Sequence, residues 1–548
     1  MIWTKNRVGF LFVFLGLLQA WANRFYMNSD GISYIEIAQA YARGQWQQAF
    51  NTYWSPLYSW ILAIVFRLFK PSLFWEFPLV HLVNFLIYLF TLAAFSYLLK
   101  QFLRWQGVQE PSLRRVWIWL GYSLFLWCAL SAVSLYLVSP DLLTAGIIFL
   151  AAGLWIRLQQ GETTWTLFGL WGAVLGIGYL AKTFMFIFGF LWIVAGVGWA
   201  VWKRNSNINR YSAALAGFLF IAVPFVGAIS KAKGQWTLGE AAPINYAFHV
   251  NRAPILPFWR GDFPPGSKGT HPPRLIMSMP RVYAYDRDIP ASYPIWYDPS
   301  YWMEGLRPRY GLIDHWRSLR MRFNDDTHLL LYSQGSLWAG ALILLWGAKR
   351  RKPGAMLLLP GLLGVAIFAI VLVEPRYIGP FVVLIWFGVF SGMEVPTEEM
   401  ARKWFGCVVW AMLLNPLVYV GYETANALQR TVRQTLTFPH TRNHAYWQVA
   451  QDLHQLGLRE HDRVACMFEK GYGQYWAHLG AFRLVAEIPF PDDVSQAQPP
   501  LMAAIADVLR QEGIRAIVAW PHAVSPHVLK NLGGWQELKD APFVVYLL

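Results

Sequence analysis

The chain has 548 residues, of which 56% are hydrophobic, 17% aromatic and only 14% charged, and its 46 basic against 31 acidic side chains give a formal charge of +15. That composition excludes an ordinary soluble enzyme and describes a polytopic membrane protein. Lys and Arg fall in short clusters between apolar runs rather than on one basic face, which argues for topology signals and against a nucleic-acid partner, and the scattered Cys128, Cys407 and Cys466 offer neither a disulfide framework nor a CxxC metal site.

Lys5 and Arg7 precede the first apolar run, residues 8–22, and positive residues keep to the cytoplasm, so this helix should run outward and deliver Asp30 to the far side. Ala20-Trp21-Ala22 resembles a signal-peptidase site, an alternative that removes the first helix and still leaves Asp30 outside. Beyond Gly31, Glu36, Gln39 and Arg43 share one helical face while Ile32, Ile35 and Ala38 share another. This pattern predicts a helix lying in the membrane interface and roofing a cavity at headgroup depth. Residues 56–69 are too short to cross and read as interfacial or re-entrant, whereas 75–103 are ample.

The next run, 116–137, should go outward and bring Ser139-Pro140-Asp141 to the face that carries Asp30. Residues 142–158 return, 165–180 come out at Lys182, and 184–202 go back to Lys203, Arg204 and Arg210. A span over 211–229 leads to a long outer loop, 231–326, after which 329–346 descend to the tetrad Lys349-Arg350-Arg351-Lys352, the strongest inside marker. Residues 354–373 rise to Glu374-Pro375-Arg376-Tyr377, 378–393 return to Arg402 and Lys403, and 404–420 exit for the last time. The reading is about eleven spans with the tail outside.

From residue 422 the charge density becomes ordinary, and short β-branched runs alternate with helical stretches. Strands are expected over 463–468, 484–488, 516–520 and 543–548, and helices over 445–456 and 501–511. The chain thus divides into a transmembrane domain, 1–421, with outer loops at about 23–74 and 231–326, and an extracytoplasmic α/β domain, 422–548. Gly471-Tyr472-Gly473 follows a strand but lacks the third glycine of a dinucleotide fingerprint, so the tail is not expected to be the catalytic centre but to guide the acceptor or brace the loop.

Asp30, Asp141 and Glu374 to Arg376 therefore project from the outer ends of apolar helices onto one face, with Lys182 at the end of a fourth, and charges at a bilayer edge are costly unless paired or used. The first-loop acid with its interfacial helix, Trp54-Ser55-Pro56-Leu57-Tyr58, Pro140-Asp141, Gly178-Tyr179-Leu180-Ala181-Lys182-Thr183 and Glu374-Pro375-Arg376-Tyr377 together resemble the C-type (GT-C) glycosyltransferase superfamily. The resemblance runs over roughly residues 1 to 390 and lies near the aminoarabinose transferase and protein O-mannosyltransferase branch. It implies an α-helical polytopic membrane protein in the cytoplasmic (inner) membrane that moves a sugar from a polyprenyl-phosphate donor to a lipid, glycan or protein acceptor on the outer face. Many members place two acids together in the first loop and a histidine before Pro-Leu-Tyr; this chain has Asp30-Gly31 and Ser55-Pro56 instead, which puts metal dependence in doubt.

Such a transfer needs a base for the acceptor hydroxyl and cations for the departing phosphate. Asp30 is the candidate base and Asp141 the second catalytic acid, holding the acceptor or a divalent cation such as magnesium or manganese. Lys182 and Arg376 are the candidate phosphate ligands, Arg376 able to grip two oxygens at once. Glu36, Glu374, Tyr377 and, in the aromatic run Tyr293 to Trp302, Tyr297, Tyr301 and Trp302 are candidate substrate contacts. Each has a plainer reading: Asp30 and Asp141 as helix N-caps, Lys182 and Arg376 as snorkelling anchors, Glu374 as an ion-pair partner, the aromatics as an interfacial belt. No metal ligands are assigned. A transporter of lipid-linked saccharides and a non-catalytic assembly subunit are the competing functions; the first would place ionisable groups at mid-membrane and show paired halves, neither of which is visible.

Overall fold

The computed structural model describes the chain except residues 1–6, 108–110, 205–206, 254–266, 286, 288, 331–333, 348–353, 393–397, 437–441, 468–473, 490–498, 521–533, 539–540 and 542. The basic tetrad at 349–352 and Gly471-Tyr472-Gly473 lie outside the described residues. Six described helices are long and apolar enough to cross a membrane, among them Leu73–Gln106, Asp141–Gln159 and Met185–Trp202, and six apolar helices are shorter, including Pro56–Phe69 and Trp165–Ala181. Where helices pack without an aqueous surround, small residues set how near they come. A side chain at Gly172 would collide with the Ala214 carbonyl, so this glycine lets Trp165–Ala181 lie directly on Tyr211–Lys233.

Most expected spans appear within a few residues, and the exceptions have visible causes. The run expected over 116–137 is helical only to Leu126 and then loosens into a wider turn, Trp127–Ala132. The carbonyls of Leu135 and Leu137 accept from the Asn84 side-chain amide at 3.2 and 3.1 Å instead of continuing a helix, and Asn84 is itself held by the Tyr58 hydroxyl at 2.7 Å. The span expected to begin at 329 starts at Gly335 (Gly335–Gly347), because Leu329 and Leu330 finish a separate helix, Leu312–Leu330. After Glu399–Met412 the helix Leu414–Leu436 runs through residue 422, where the sequence suggests a domain boundary.

The α/β part is built from two segments of chain. Strands β1 (Arg274–Ser278) and β2 (Arg281–Ala284) come from the long loop, and β3 (Arg463–Met467), β4 (Arg483–Ile488), β5 (Ile514–Ala519), β6 (Trp535–Glu537) and β7 (Val544–Leu547) from the tail. They form one sheet in the order β1-β2-β4-β3-β5-β7-β6. The buried runs β3, β4 and β5 pair in parallel and the outer strands are antiparallel, as expected of a sheet whose centre is covered on both faces. The β2–β4 pairing, Tyr283 opposite Glu487 and Ala284 opposite Ala486, fastens the loop to the tail.

Candidate functional site: a charged cavity beneath a buried roof helix

The helix Ser29–Ala42, the roof helix, is the element on which the site is built. It starts one residue before Asp30, which therefore sits in its first turn, while Asn28 occupies the capping position without making a side-chain cap bond. The Asn28 amide instead exchanges two hydrogen bonds with the Val138 backbone, at 2.9 and 3.3 Å. Gly31 completes that contact: a Cβ there would lie 2.8 Å from Val138 Cβ and 2.7 Å from Met27 Sδ, so only glycine lets the helix close on the segment leading into Asp141.

That closure brings four helix ends together. Asp141 opens Asp141–Gln159, Lys182 follows Trp165–Ala181, Arg376 lies in the first turn of Pro375–Phe390, and Asp30 faces them from the roof helix. Lys182 Nζ is paired with Asp141 Oδ1, whose other oxygen accepts from Ser139 Oγ at 3.0 Å. Arg376 Nη1 lies 3.5 Å from Asp30 Oδ2 and 3.9 Å from Asp141 Oδ2, and its Nε donates to Glu374 Oε2 at 2.8 Å. Tyr377 accepts from Arg376 Nη2 at 2.9 Å and lays its ring 3.8 Å from Lys182 Nζ, a cation–π contact that buttresses both cations.

These groups line a cavity of about 1080 Å³, into which Tyr34, Tyr53, Trp54 and Trp296 also project. The two acids are unequal. The Asp141 side chain is 3% exposed and the Asp30 side chain 26%. Asp141 is sealed and held by Lys182, whereas Asp30 opens to the cavity with Oδ1 accepting from Trp296 Nε1 at 3.2 Å. Burial, reinforced by Asp30, raises the Tyr34 and Tyr53 phenol pKa values, so both remain neutral at physiological pH. Among the described residues no group of three or more His, Cys, Asp and Glu side chains is arranged to hold a metal ion. Asp141, the carboxylate considered for a divalent cation, already faces Lys182 and Arg376, a donor set that does not suit one.

Of the remaining candidates, Glu374 and Tyr377 line the cavity, but Glu36, Tyr297, Tyr301 and Trp302 do not. The roof helix does not present a wet polar face, because a loop and the tail cover it. Glu36 is buried and accepts from the Ser292 backbone N–H at 2.9 Å and from its hydroxyl. His478, from the tail helix Gln474–Leu479, inserts beside it, with Nδ1 3.0 Å from Glu36 Oε1 and Nε2 2.6 Å from Glu76 Oε1; Gln39 Nε2 donates to the other Glu76 oxygen at 2.6 Å. Burial opposes charge on His478, but the Glu76 and Glu36 carboxylates overcome it and push its pKa up to about 10. Tyr297 donates to the Gln48 carbonyl at 2.9 Å, Trp302 to the Pro294 carbonyl at 3.0 Å, and Tyr301 stacks on His271 at 4.0 Å, so these three brace the loop. Their neighbour Trp296 is the one that reaches Asp30. It stands in the same aromatic run, where composition alone does not say which ring turns inward.

An apolar helical bundle with a charged cavity at the helix ends, covered by an α/β domain, is the architecture of the C-type membrane glycosyltransferases, and this chain has that fold. It is similar over nearly its whole length to the solved structures of ArnT, an aminoarabinose transferase, from Cupriavidus metallidurans. The form bound to undecaprenyl phosphate aligns with a TM-score of 0.54 and 13% identity over 99% of this chain and 98% of that one. The apo form aligns with a TM-score of 0.55 and 14% identity over 98% and 97%. A third similarity is to the Archaeoglobus fulgidus oligosaccharyltransferase tethered with an acceptor peptide, with a TM-score of 0.40 and 10% identity over 98% of this chain and 73% of that one. No family model and no curated protein matches the sequence.

Proposed function

We propose that this protein is a glycosyltransferase of the cytoplasmic membrane that moves a hexosyl or pentosyl unit from a polyprenyl-phosphate donor to an acceptor on the extracytoplasmic side, where the α/β domain also lies. The observation that carries the reading is the pairing, inside one cavity, of an accessible carboxylate with two cations rooted in apolar helices: Asp30 with Arg376 and Lys182. In the reaction the acceptor oxygen attacks the sugar's anomeric carbon while Asp30 takes the proton from that oxygen. The bond from the anomeric carbon to the phosphate oxygen breaks, its electron pair stays on the phosphate, and Arg376 and Lys182 meet the added charge. Asp141 keeps the two cations side by side. The similarity to ArnT with undecaprenyl phosphate supports a lipid-linked donor.

The test is Asp30→Asn, with donor binding and initial transfer rate measured in nanodiscs. Asn keeps the shape and accepts from Trp296 but cannot act as a base, so donor affinity should hold while the rate falls by roughly a hundredfold to ten-thousandfold. A variant with the parental rate would remove Asp30 from the mechanism.

A further inference from the structure

The Leu312–Leu330 helix, which closes the long loop, is amphipathic in the reverse of the usual sense. A helix on a protein–water surface packs its apolar stripe inward. Here the inward side is polar. Ser318 is 1% exposed and donates to the His249 carbonyl at 3.1 Å, Arg322 Nη2 donates to Ser318 Oγ at 2.9 Å, Asp314 accepts from Asn251 Nδ2 at 3.3 Å, and the His315 ring lies 5.3 Å from Tyr246. The outward side is apolar, with Leu312 86%, Trp316 70% and Phe323 69% exposed and Leu319 exposed beside them. At about 100° per residue these four side chains fall within roughly 60° of one another, a single stripe. Arg320 and, farther round the same side, Arg317 are both exposed beside it.

We propose that this face docks on the outer leaflet of the membrane, with the Leu312, Trp316, Leu319 and Phe323 stripe at the headgroup–acyl boundary and Arg317 and Arg320 on lipid phosphates. Two observations name a lipid surface as the occupant. Basic side chains beside an apolar stripe complement anionic headgroups. Only residues 331–334 separate the helix from the apolar helix Gly335–Gly347, and four residues span at most about 14 Å, so the docking face is tethered within headgroup depth. The start of the helix also borders the cavity, which is lined by Leu312 and His315 in the helix's first turn and by Tyr310 just before it. The cavity mouth is thereby held at the lipid surface, the place from which a lipid-linked donor enters; this last step rests on the proposed function, the docking itself does not.

The test uses the full chain in nanodiscs of phosphatidylethanolamine and phosphatidylglycerol, with the exposed Cys407 replaced by Ser. Nitroxide labels are placed singly at positions 312, 316, 319 and 323, and at the exposed tail residue Asp507 as a water control. Collision with oxygen should exceed collision with a water-soluble nickel chelate at all four stripe positions and fall below it at 507. Nickel access at the stripe equal to that at 507 would overturn the proposal, and so would a dipolar coupling showing that a second copy covers the face. As a second measurement, Trp316→Glu with Phe323→Glu should raise KM for a long-chain polyprenyl donor about tenfold, with little change for a short-chain donor that partitions into water. Equal KM changes for both donors would count against docking. Labels in the bilayer without any glycosyl transfer would sink the enzymatic reading and leave the docking standing.

Discussion

The roof helix carries two carboxylates six residues apart, and their surroundings are opposite. Asp30 belongs to a half-open cluster in which it lies 3.5 Å from Arg376, a cation that also faces Asp141 at 3.9 Å and donates to Glu374 at 2.8 Å, so Asp30 itself is only loosely engaged. Glu36 belongs to a sealed cluster in which His478 is gripped at 3.0 and 2.6 Å, Ser292 donates to the same Glu36 oxygen that His478 meets, and Gln39 donates to the second oxygen of Glu76. The same residue types thus serve two ends. A buried, multiply bonded network fixes one geometry, whereas a more exposed and loosely matched one has lone pairs and cations left to offer a substrate.

The sharpest way to break this contrast is to exchange the readouts. His478→Ala would leave two buried carboxylates facing each other across a void, and loss of one partner of a buried ion pair typically costs about 3–5 kcal/mol. The melting temperature should fall by many degrees, because the residue joins the tail to both Glu36 on the roof helix and Glu76 on Leu73–Gln106. Asp30→Asn should leave melting near parental and abolish most turnover. If His478→Ala melts normally while only catalysis suffers, the sealed cluster belongs to the chemistry and the division drawn here fails.

Titration offers a second, smaller handle. The folded-state pKa of His478 lies near 10, above the ordinary value of 6.5. Its contribution to stability is therefore complete below about pH 6.5 and is lost as pH rises toward 10, because the native state keeps a proton that the unfolded chain has released. Melting of the parent should decline between pH 7 and 9, and His478→Gln should flatten that slope while lowering the starting point. A parental curve that rises over this interval would contradict a charged imidazolium in the clasp.

How much of this the sequence discloses depends on whether the signal is local. The apolar helices, four tail strands and the convergence of Asp30, Asp141, Lys182 and Arg376 are legible because hydrophobic runs and the charges at their ends are properties of adjacent residues. Strands β1 and β2 are not, since β1 pairs, among the described strands, only with β2, and β2 is anchored by Glu487 and Ala486 some 200 positions away, which nothing in its own Arg-Val-Tyr-Ala announces. Glu36 reads as a substrate contact on the polar face of an interfacial helix because helical periodicity cannot foresee that a loop and a tail will cover it. The tail shares a sheet with the long loop, as a bracing domain would, and its His478 also holds the helix that carries Asp30, a contact that no local pattern in the tail announces. One clue lies in plain view: Glu76 is an acid in the first turn of a long apolar helix, and such a charge calls for a partner.

Within the open cluster, the cations should be separable from the base. Lys182→Ala removes one charge-assisted partner of the donor phosphate, worth about 1.5–3 kcal/mol, so donor affinity should weaken roughly tenfold to a hundredfold. The same change leaves Asp141 with Arg376 alone. Isothermal titration with the polyprenyl-phosphate sugar distinguishes this from Asp30→Asn, which should bind the donor as the parent does. Equal loss of affinity in both variants would mean that Asp30 organises the phosphate site rather than the proton transfer.

The smallest expected effect comes from Glu374, and its sign is the informative part. This carboxylate is the most exposed of the three acids around Arg376 and accepts directly from its Nε. An incoming phosphate must compete with it for the guanidinium. Glu374→Gln keeps an acceptor for Nε but removes a negative charge from the cavity, and a partly exposed charge of this kind is worth about 0.5–1 kcal/mol after screening by water. Binding of the donor, and equally of the released polyprenyl phosphate, should tighten by roughly two- to fivefold. A phosphate product held more firmly leaves more slowly, so kcat should drop where product release limits turnover, and added polyprenyl phosphate should inhibit the variant more strongly than the parent. Product-inhibition constants for the two proteins decide the matter. Weaker inhibition of Glu374→Gln would show that Glu374 holds Arg376 in its working orientation instead of competing for it, and would place it with the positioning residues of the sealed kind.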